Sequence, residues 1–398
     1  MHDVPASDTC GRRLSDRKRW YMKVSPHVLW TLLRKPAWLD AWMRTSADWN
    51  HDIADRRDLN NGLARHDDGV HPCESPFYFE WWYFDVSLSD DSALTFIFHL
   101  TDLIKPASPT GSLSVSFFRP GQPPWYMFIP YPRQAITAST QECDVRMGKN
   151  RCWIDPDGTY HVLVDEPGVK AEIAFESLMP GWQPGDGKIR FGSPQRFFSW
   201  VVPQPRAKAV GWVQLGNERW QVEGVGYHDH NWGTVSLVET LNAWSWGRVY
   251  LDDYTLVFAD MRLSPCYAPA RPMPLMLAYQ DEIIFSAFLD KCAPIDPQRD
   301  FITIPERNLP PAGWRLTWQG AEGQFDLTLK TRHILERTDL LQNRRPLVKD
   351  LISRLVAHPY YLRCVTDAEG QFMLRQSGRS SEGRAICEQM VLRTPRQV

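Results

Sequence analysis

The segment Gly224-Val225-Gly226-Tyr227-His228-Asp229-His230-Asn231-Trp232-Gly233 sets five polar or ionisable side chains in an unbroken row, Tyr227 to Asn231, between flanking glycines. If it is extended, His228, His230 and Trp232 share one face while Asp229 and Asn231 share the other. The flanking glycines allow close backbone approach or a bend. Burying so many polar groups is costly unless they form a tight hydrogen-bond network or serve chemistry. Two histidines at i and i+2 could hold a metal with a carboxylate as third ligand. No other His, Cys or carboxylate cluster completes such a site along the sequence, so no metal is expected.

Two further segments carry chemistry. In Trp244-Ser245-Trp246-Gly247-Arg248-Val249-Tyr250-Leu251-Asp252, alternation sends Trp244, Trp246, Arg248, Tyr250 and Asp252 to one side. Two indoles, a guanidinium, a phenol and a carboxylate suit a pocket that stabilises positive charge and donates a proton. The plainer alternative puts Asp252 in a solvated turn with Asp253. In Glu80-Trp81-Trp82-Tyr83-Phe84-Asp85, four consecutive aromatic residues place rings on both faces, so both faces are expected to be covered. Glu80 then borders apolar surroundings, where its carboxyl is either paired with a cation or raised in pKa.

The elements that must position these motifs read mostly as strands. Leu94, Phe96, Phe98 and Leu100 alternate with Ala93, Thr95, Ile97 and His99, a period of two. Pro156-Asp157-Gly158 and Gly216-Asn217 sit between strand-like runs and signal hairpins. A second series of strand-like runs follows Gly226, and the absence of a helix after each strand argues against a doubly wound parallel sheet. The reading is all-β with barrel or sandwich architecture, in three parts: an N-terminal extension 1–65, a first β-domain 66–225 and a second 226–398. Within the extension, residues 20–49 have helical spacing interrupted by Pro36, giving two short helices that could rest on a membrane surface. Leu347, Leu351 and Leu355 mark one late helix over 346–358.

Composition excludes several classes. The 45 basic and 47 acidic side chains nearly cancel with no long run of one sign, so no nucleic-acid partner is expected. The eight cysteines are scattered without a Cys-x-x-Cys pair, which reads as reduced thiols. No apolar signal core and no membrane-spanning run are present, and a cytoplasmic protein is expected, at most peripheral to a membrane through its N-terminal helices. The 18 Trp, 13 Tyr and 18 Phe fall largely in alternating runs, which fits a β-rich core.

On its motifs the chain resembles the lipocalin-like hydroxyneurosporene synthase (carotenoid 1,2-hydratase) family. The matching pieces are Glu80-Trp81-Trp82-Tyr83, Tyr227-His228-Asp229-His230-Asn231-Trp232-Gly233, Trp244-x-Trp246 and, more loosely, Gly383 to Glu388, in order over roughly residues 66–392. The resemblance implies two consecutive lipocalin-like antiparallel β-barrels, a hydrophobic isoprenoid-like substrate and no metal or organic cofactor. Members hydrate terminal double bonds of acyclic carotenoids, and related proteins catalyse cyclisation or Diels–Alder closure. The family's His-x-Trp falls on His230 and Trp232, and its later Tyr-x-Asp on Tyr250 and Asp252, with a shorter separation than the family pattern. Catalysis is thus assigned to His230, Trp232, Tyr250, Asp252 and Asp229. Substrate contact is assigned to Glu80, Trp82, His228, Asn231, Trp244, Trp246 and Arg248. The expected reaction is alkene protonation by a carboxyl kept protonated in an apolar barrel, then capture of the cation by water or by a second alkene. A pericyclase without an acid, and a carrier that binds lipid without turnover, are the competing readings.

Overall fold

The computed structural model describes residues 63–101, 110–191, 193–264, 267, 271–288, 291–295, 311–321, 323–339, 360–374 and 377–392. The helices expected within 20–49 and 346–358 lie outside these residues. Among the described residues helix is limited to single turns at Arg65–Asp68, Arg133–Ala135 and Leu237–Thr240 and to Tyr267. None is long and apolar enough to cross a membrane.

The remaining regular structure among the described residues is antiparallel sheet. Strands β1 (Phe79–Leu88), β2 (Ala93–His99), β3 (Thr110–Phe118) and β4 (Trp125–Pro132) form one meander. Strands β5 (Ile136–Ala138), β6 (Asp144–Met147), β7 (Asn150–Ile154), β8 (Tyr160–Glu166) and β9 (Val169–Ser177) form another. After a short β10 (Lys188–Arg190), the long hairpin of β11 (Phe197–Leu215) and β12 (Glu218–Gly233) joins them. The order across the sheet is β4-β3-β2-β1-β12-β11-β9-β8-β7-β6-β5, with β10 on β11. The second sheet contains β13 (Leu241–Leu251), β14 (Tyr254–Leu263), β15 (Pro274–Tyr279), β16 (Glu282–Phe288) and β17 (Lys291–Ile295). It is completed by β18 (Gly313–Gly320), β19 (Gly323–Asp339), β20 (Tyr360–Leu374) and β21 (Ser377–Val391), in the order β16-β15-β14-β13-β21-β20-β19-β18-β17. The first sheet runs on through Gly233, so residues 226–233 pair within it rather than opening the second.

Both sheets curl until distant strands meet. In the first, the Tyr131 hydroxyl on β4 bonds Glu166 and accepts from Asn150 Nδ2 at 2.6 Å. In the second, Phe285 on β16 stacks on Trp318 of β18 with ring centroids 4.3 Å apart. These are the two lipocalin-like β-barrels that the motifs imply. The turns form where the sequence signals them: Asp155 Oδ1 accepts from the backbone N–H of Asp157 (2.9 Å) and Thr159 (3.0 Å), and Gly158 takes φ +90°.

Alternation decides what each face does. Trp82, Phe84 and Val86 of β1, with Leu94, Phe96 and Phe98 of β2, fill the interior of the first barrel with Val162, Ile173 and Phe175. Leu256 and Phe258 of β14, with Trp314, Leu327 and Phe372, fill the second. A third cluster lies between the sheets, joining Tyr83, Trp200, Val202 and Tyr227 to Trp246, Val257, Val365 and Ile386.

Candidate active site

Strand β12 pairs with β1 so that Tyr227 faces Asp85, Asp229 faces Tyr83, His230 faces Trp82 and Trp232 faces Glu80. Opposed residues of an antiparallel pair share a face. The even-numbered members, Glu80, Trp82, His228, His230 and Trp232, therefore turn toward the first barrel. The odd-numbered members, Trp81, Tyr83, Asp85, Tyr227, Asp229 and Asn231, turn toward the seam between the sheets. The glycines permit the close approach: a Cβ on Gly224 would lie 2.3 Å from the Ser87 carbonyl oxygen, and one on Gly226 would lie 2.6 Å from the Phe175 ring.

On the barrel side the polar groups form one buried network. His228 donates from Nδ1 to the Tyr83 carbonyl (2.9 Å) and from Nε2 to Asp68 Oδ2 (3.0 Å). His230 Nε2 bonds Glu80 Oε1 at 2.9 Å, and its Nδ1 lies 3.3 Å from Asp68 Oδ1. The rings are sandwiched, His228 on Phe84 at 3.9 Å and His230 on Trp82 at 4.3 Å. Burial opposes charge on His228, but Asp68 outweighs it and raises the imidazole to about 10. The same contest, won by the carboxylates of Asp68 and Glu80, raises His230 to about 9. Burial likewise opposes ionisation of the two carboxyls, yet the histidines hold both below the usual range, Asp68 through His228 and His230, Glu80 through His230 and His71. Glu80 is thus paired rather than raised. Asp68 and His71, which complete this network, carry no sequence signal: they sit in a one-turn helix and a loop ahead of the first strand.

The seam holds the carboxyl of Asp229. Its Oδ2 accepts from Trp200 Nε1 (3.1 Å) and the Tyr227 hydroxyl (2.9 Å), and its Oδ1 accepts from Asn231 Nδ2 (2.8 Å). Burial pushes this carboxyl up to about 7 against the pull of Tyr227 and Trp200, with a small push in the same direction from Glu388 across the seam. Aromatic edges surround it: Tyr227 to Trp246 at 5.1 Å, Tyr83 to Trp246 at 5.7 Å, Tyr83 to Tyr227 at 6.1 Å, Trp182 to Trp200 at 5.2 Å. Trp81, Phe198 and Trp244, only partly buried, rim the seam where it meets a smaller apolar cluster around Phe79 and Phe191.

Strand β13 supplies the opposite wall, but not in every expected role. Arg248 donates from Nε to Asp85 Oδ1 (2.8 Å) and Oδ2 (3.1 Å) and from Nη2 to Ser87 Oγ (2.9 Å), a buried ion pair joining the sheets. Its charge is spoken for, so the assignment of Arg248 to substrate gives way to that of an inter-sheet clamp. Tyr250 donates to the carbonyls of Pro205 (2.9 Å) and Gly226 (3.1 Å), and its phenol, pushed above its ordinary pKa by burial, is a second tie. Asp252 is displaced from the site altogether. The strand ends at Leu251, and Asp252 lies exposed in the turn at φ +38°, accepting from Ser381 Oγ at 2.7 Å. Alternation carries to Arg248 and Tyr250 and stops before Asp252. His230 and Trp232 are likewise separated from Tyr250 by the thickness of the sheet. The wall of the second sheet includes Arg363, which donates to Glu388 Oε1 (2.7 Å) and Thr95 Oγ1 (3.0 Å). Glu388 closes the late matching segment; Arg363 has no local signal.

Residues 64–265 match the family model described as "Domain of unknown function (DUF7064)". The hydroxyneurosporene dehydrogenase of Chlorobaculum tepidum is 24% identical over 243 residues, 53% of this chain and 63% of that protein. The quinolone epoxide rearrangement protein asqO of Emericella nidulans is 26% identical over 46% of this chain and 54% of its own length. The chain spans less than two thirds of the length of either relative. Among solved structures, CghA with Sch210972 superposes with a TM-score of 0.60 at 14% identity, covering 85% of this chain and 98% of that one. Kievitone hydratase from Nectria haematococca gives 0.51 at 14% identity, covering 83% and 96%. At these identities the structural likeness is one of fold.

Proposed function

The chain belongs to the DUF7064 family, within the lipocalin-like group that the hydroxyneurosporene proteins typify, and on that premise we propose that it is a small-molecule-converting enzyme acting in the seam between its two sheets. The observation that carries this reading is the Asp229 carboxyl, buried, held by Trp200, Tyr227 and Asn231, and ringed by aromatic side chains. The names of the relatives, a hydroxyneurosporene dehydrogenase, a quinolone epoxide rearrangement protein and a kievitone hydratase, support a hydrophobic substrate.

The reaction is acid-initiated conversion of an isoprenoid-like alkene. Asp229 gives its proton to an alkene carbon, leaving a carboxylate and a tertiary cation. The faces of Tyr83, Tyr227, Trp200 and Trp246 stabilise that cation, each by about 0.5–2 kcal/mol. Water then adds its oxygen to the cation and returns a proton to Asp229, or a second alkene adds and the new cation loses its proton there. Tyr227, Trp200 and Asn231 fix the carboxyl so that little reorganisation accompanies the transfer. Keeping bulk water out falls to the aromatic rim.

The test is turnover of acyclic isoprenoids in D₂O, with products read by mass spectrometry. A carbon-bound deuterium in a hydrated or cyclised product, with the rate lowered about 10²–10⁴-fold in Asp229→Asn, is expected. Product without deuterium, formed at an unchanged rate by Asp229→Asn, would refute the acid and favour a pericyclic reaction shaped by the aromatic walls. Bound isoprenoid recovered unchanged would favour a carrier.

A further inference from the structure

We propose that His71, Glu80 and His230 form a binding site for a divalent first-row transition metal ion of the Zn²⁺ class, with Asp68 as its outer carboxylate. Glu80 Oε1 lies 2.9 Å from His230 Nε2 and 3.4 Å from His71 Nδ1, and the three atoms all lie within 4.8 Å of one another. Ligand atoms around one tetrahedral zinc sit about 3.3 Å apart, so once the ion displaces the proton that His230 Nε2 shares with Glu80, small shifts bring these three onto it. Two imidazoles and a carboxylate are a donor set suited to zinc and its neighbours.

The surroundings fit the same reading. With Nε2 on the ion, His230 presents its Nδ1–H to Asp68 Oδ1, 3.3 Å away. These two atoms are buried, and neither meets a well-formed hydrogen bond among the described residues. A carboxylate behind the far nitrogen of a ligating histidine is the arrangement that fixes tautomer and ring orientation in metal sites. Asp68 is anchored in turn by His228, and its backbone carbonyl accepts from Trp82 Nε1 at 3.0 Å. Glu80 is oriented by the Tyr78 hydroxyl on its other oxygen and by the His71 backbone N–H at 2.9 Å. The imidazoles are held by indoles, His71 parallel to Trp232 at 3.8 Å and His230 to Trp82 at 4.3 Å.

Access distinguishes this trio from the neighbouring Asp68, Cys143 and His228, all of which are buried. The Cys143 thiol there is pushed well up by burial, which disfavours the thiolate a metal needs. In the proposed site the His71 side chain is 30% exposed while those of Glu80 and His230 are 0%, so the ion enters from the His71 side and keeps an open position toward solvent. The ion would tie the 65–71 segment to β1 and β12, on the face of β12 opposite Asp229. The proposal therefore stands apart from the reaction in the seam.

The experiment uses the full chain stripped with EDTA and titrated with Zn²⁺ by calorimetry, then loaded with Zn²⁺ for X-ray absorption. One ion per chain is expected, with nitrogen and oxygen neighbours and no sulfur. His71→Ala, a partly exposed position, should weaken binding by at least about 10–100-fold, and Cys143→Ser should leave it unchanged. No saturable binding by the native chain, sulfur in the coordination shell, or affinity that survives His71→Ala would each overturn the proposal. The absorption spectrum needs no variant, so the result does not depend on whether His71→Ala folds.

Discussion

Replacing Arg248 by Met separates a clamp from a substrate ligand. Arg248 and Asp85 come from different sheets, their side chains are 1% and 0% exposed, and the pair is bidentate with a further bond to Ser87. Methionine keeps the bulk of the side chain and removes its charge. Asp85 is then left buried with the Tyr83 hydroxyl (2.8 Å) as its remaining side-chain donor. Breaking a buried pair from one side costs about 3–5 kcal/mol, while replacing both partners with apolar side chains is often neutral. Arg248→Met should thus lower the urea midpoint severely, and Arg248→Met with Asp85→Leu should recover most of the loss. The assay is equilibrium unfolding followed by tryptophan fluorescence, compared at equal denaturant slope. A single variant losing less than about 1 kcal/mol, or a double variant less stable than the single, would refute the clamp.

Two further outcomes follow from the same geometry. Asp252→Asn, in a turn at positive φ that asparagine tolerates, should leave turnover unchanged and shift stability by no more than about 0.5 kcal/mol; a large loss of turnover would return Asp252 to the site. Burial holds the His99 imidazole down at about 4, against 6.5 as its ordinary value, so the folded chain binds its proton later than the unfolded one as pH falls. Its contribution to stability is present above pH 6.5 and is lost as pH falls from 6.5 to 4. His99→Phe should therefore lose less stability than the native chain across that window, as read from urea midpoints; parallel curves would show that His99 is not the group responsible.

Much of the fold was written in local pattern. Alternation at 94–100 gives β2, Asp157-Gly158 gives its hairpin, and the two faces of 228–232 follow from period two alone. Locality is also where the reading fails. Asp252 continues the alternation of β13 on paper, but the chain turns at that residue and the pattern contains no information about where pairing ends. Glu80 in apolar surroundings leaves pairing and a raised pKa equally open, and only the fold supplies His71 and His230. The Arg248–Asp85 pair spans 163 residues, and Asp68 reaches His228 over 160. Asp85, Arg248 and His228 lie in motifs and Asp68 does not, yet in both pairs the partner is chosen by sheet packing. Arg363 illustrates the limit, since nothing around it in the sequence announces that it closes the seam.

The strict alternation of β12 also constrains how this chain can change. Replacing side chains at 227, 229 or 231 re-lines the seam and leaves the imidazole network behind it undisturbed. Replacing those at 228, 230 or 232 does the reverse. Deleting or inserting a single residue cannot be so confined: it turns the strand over, sending a carboxyl into the apolar barrel and two imidazoles into the seam. Diversification of chemistry on this scaffold is thereby channelled into point exchange on one edge of the alternation, with the length of the strand frozen.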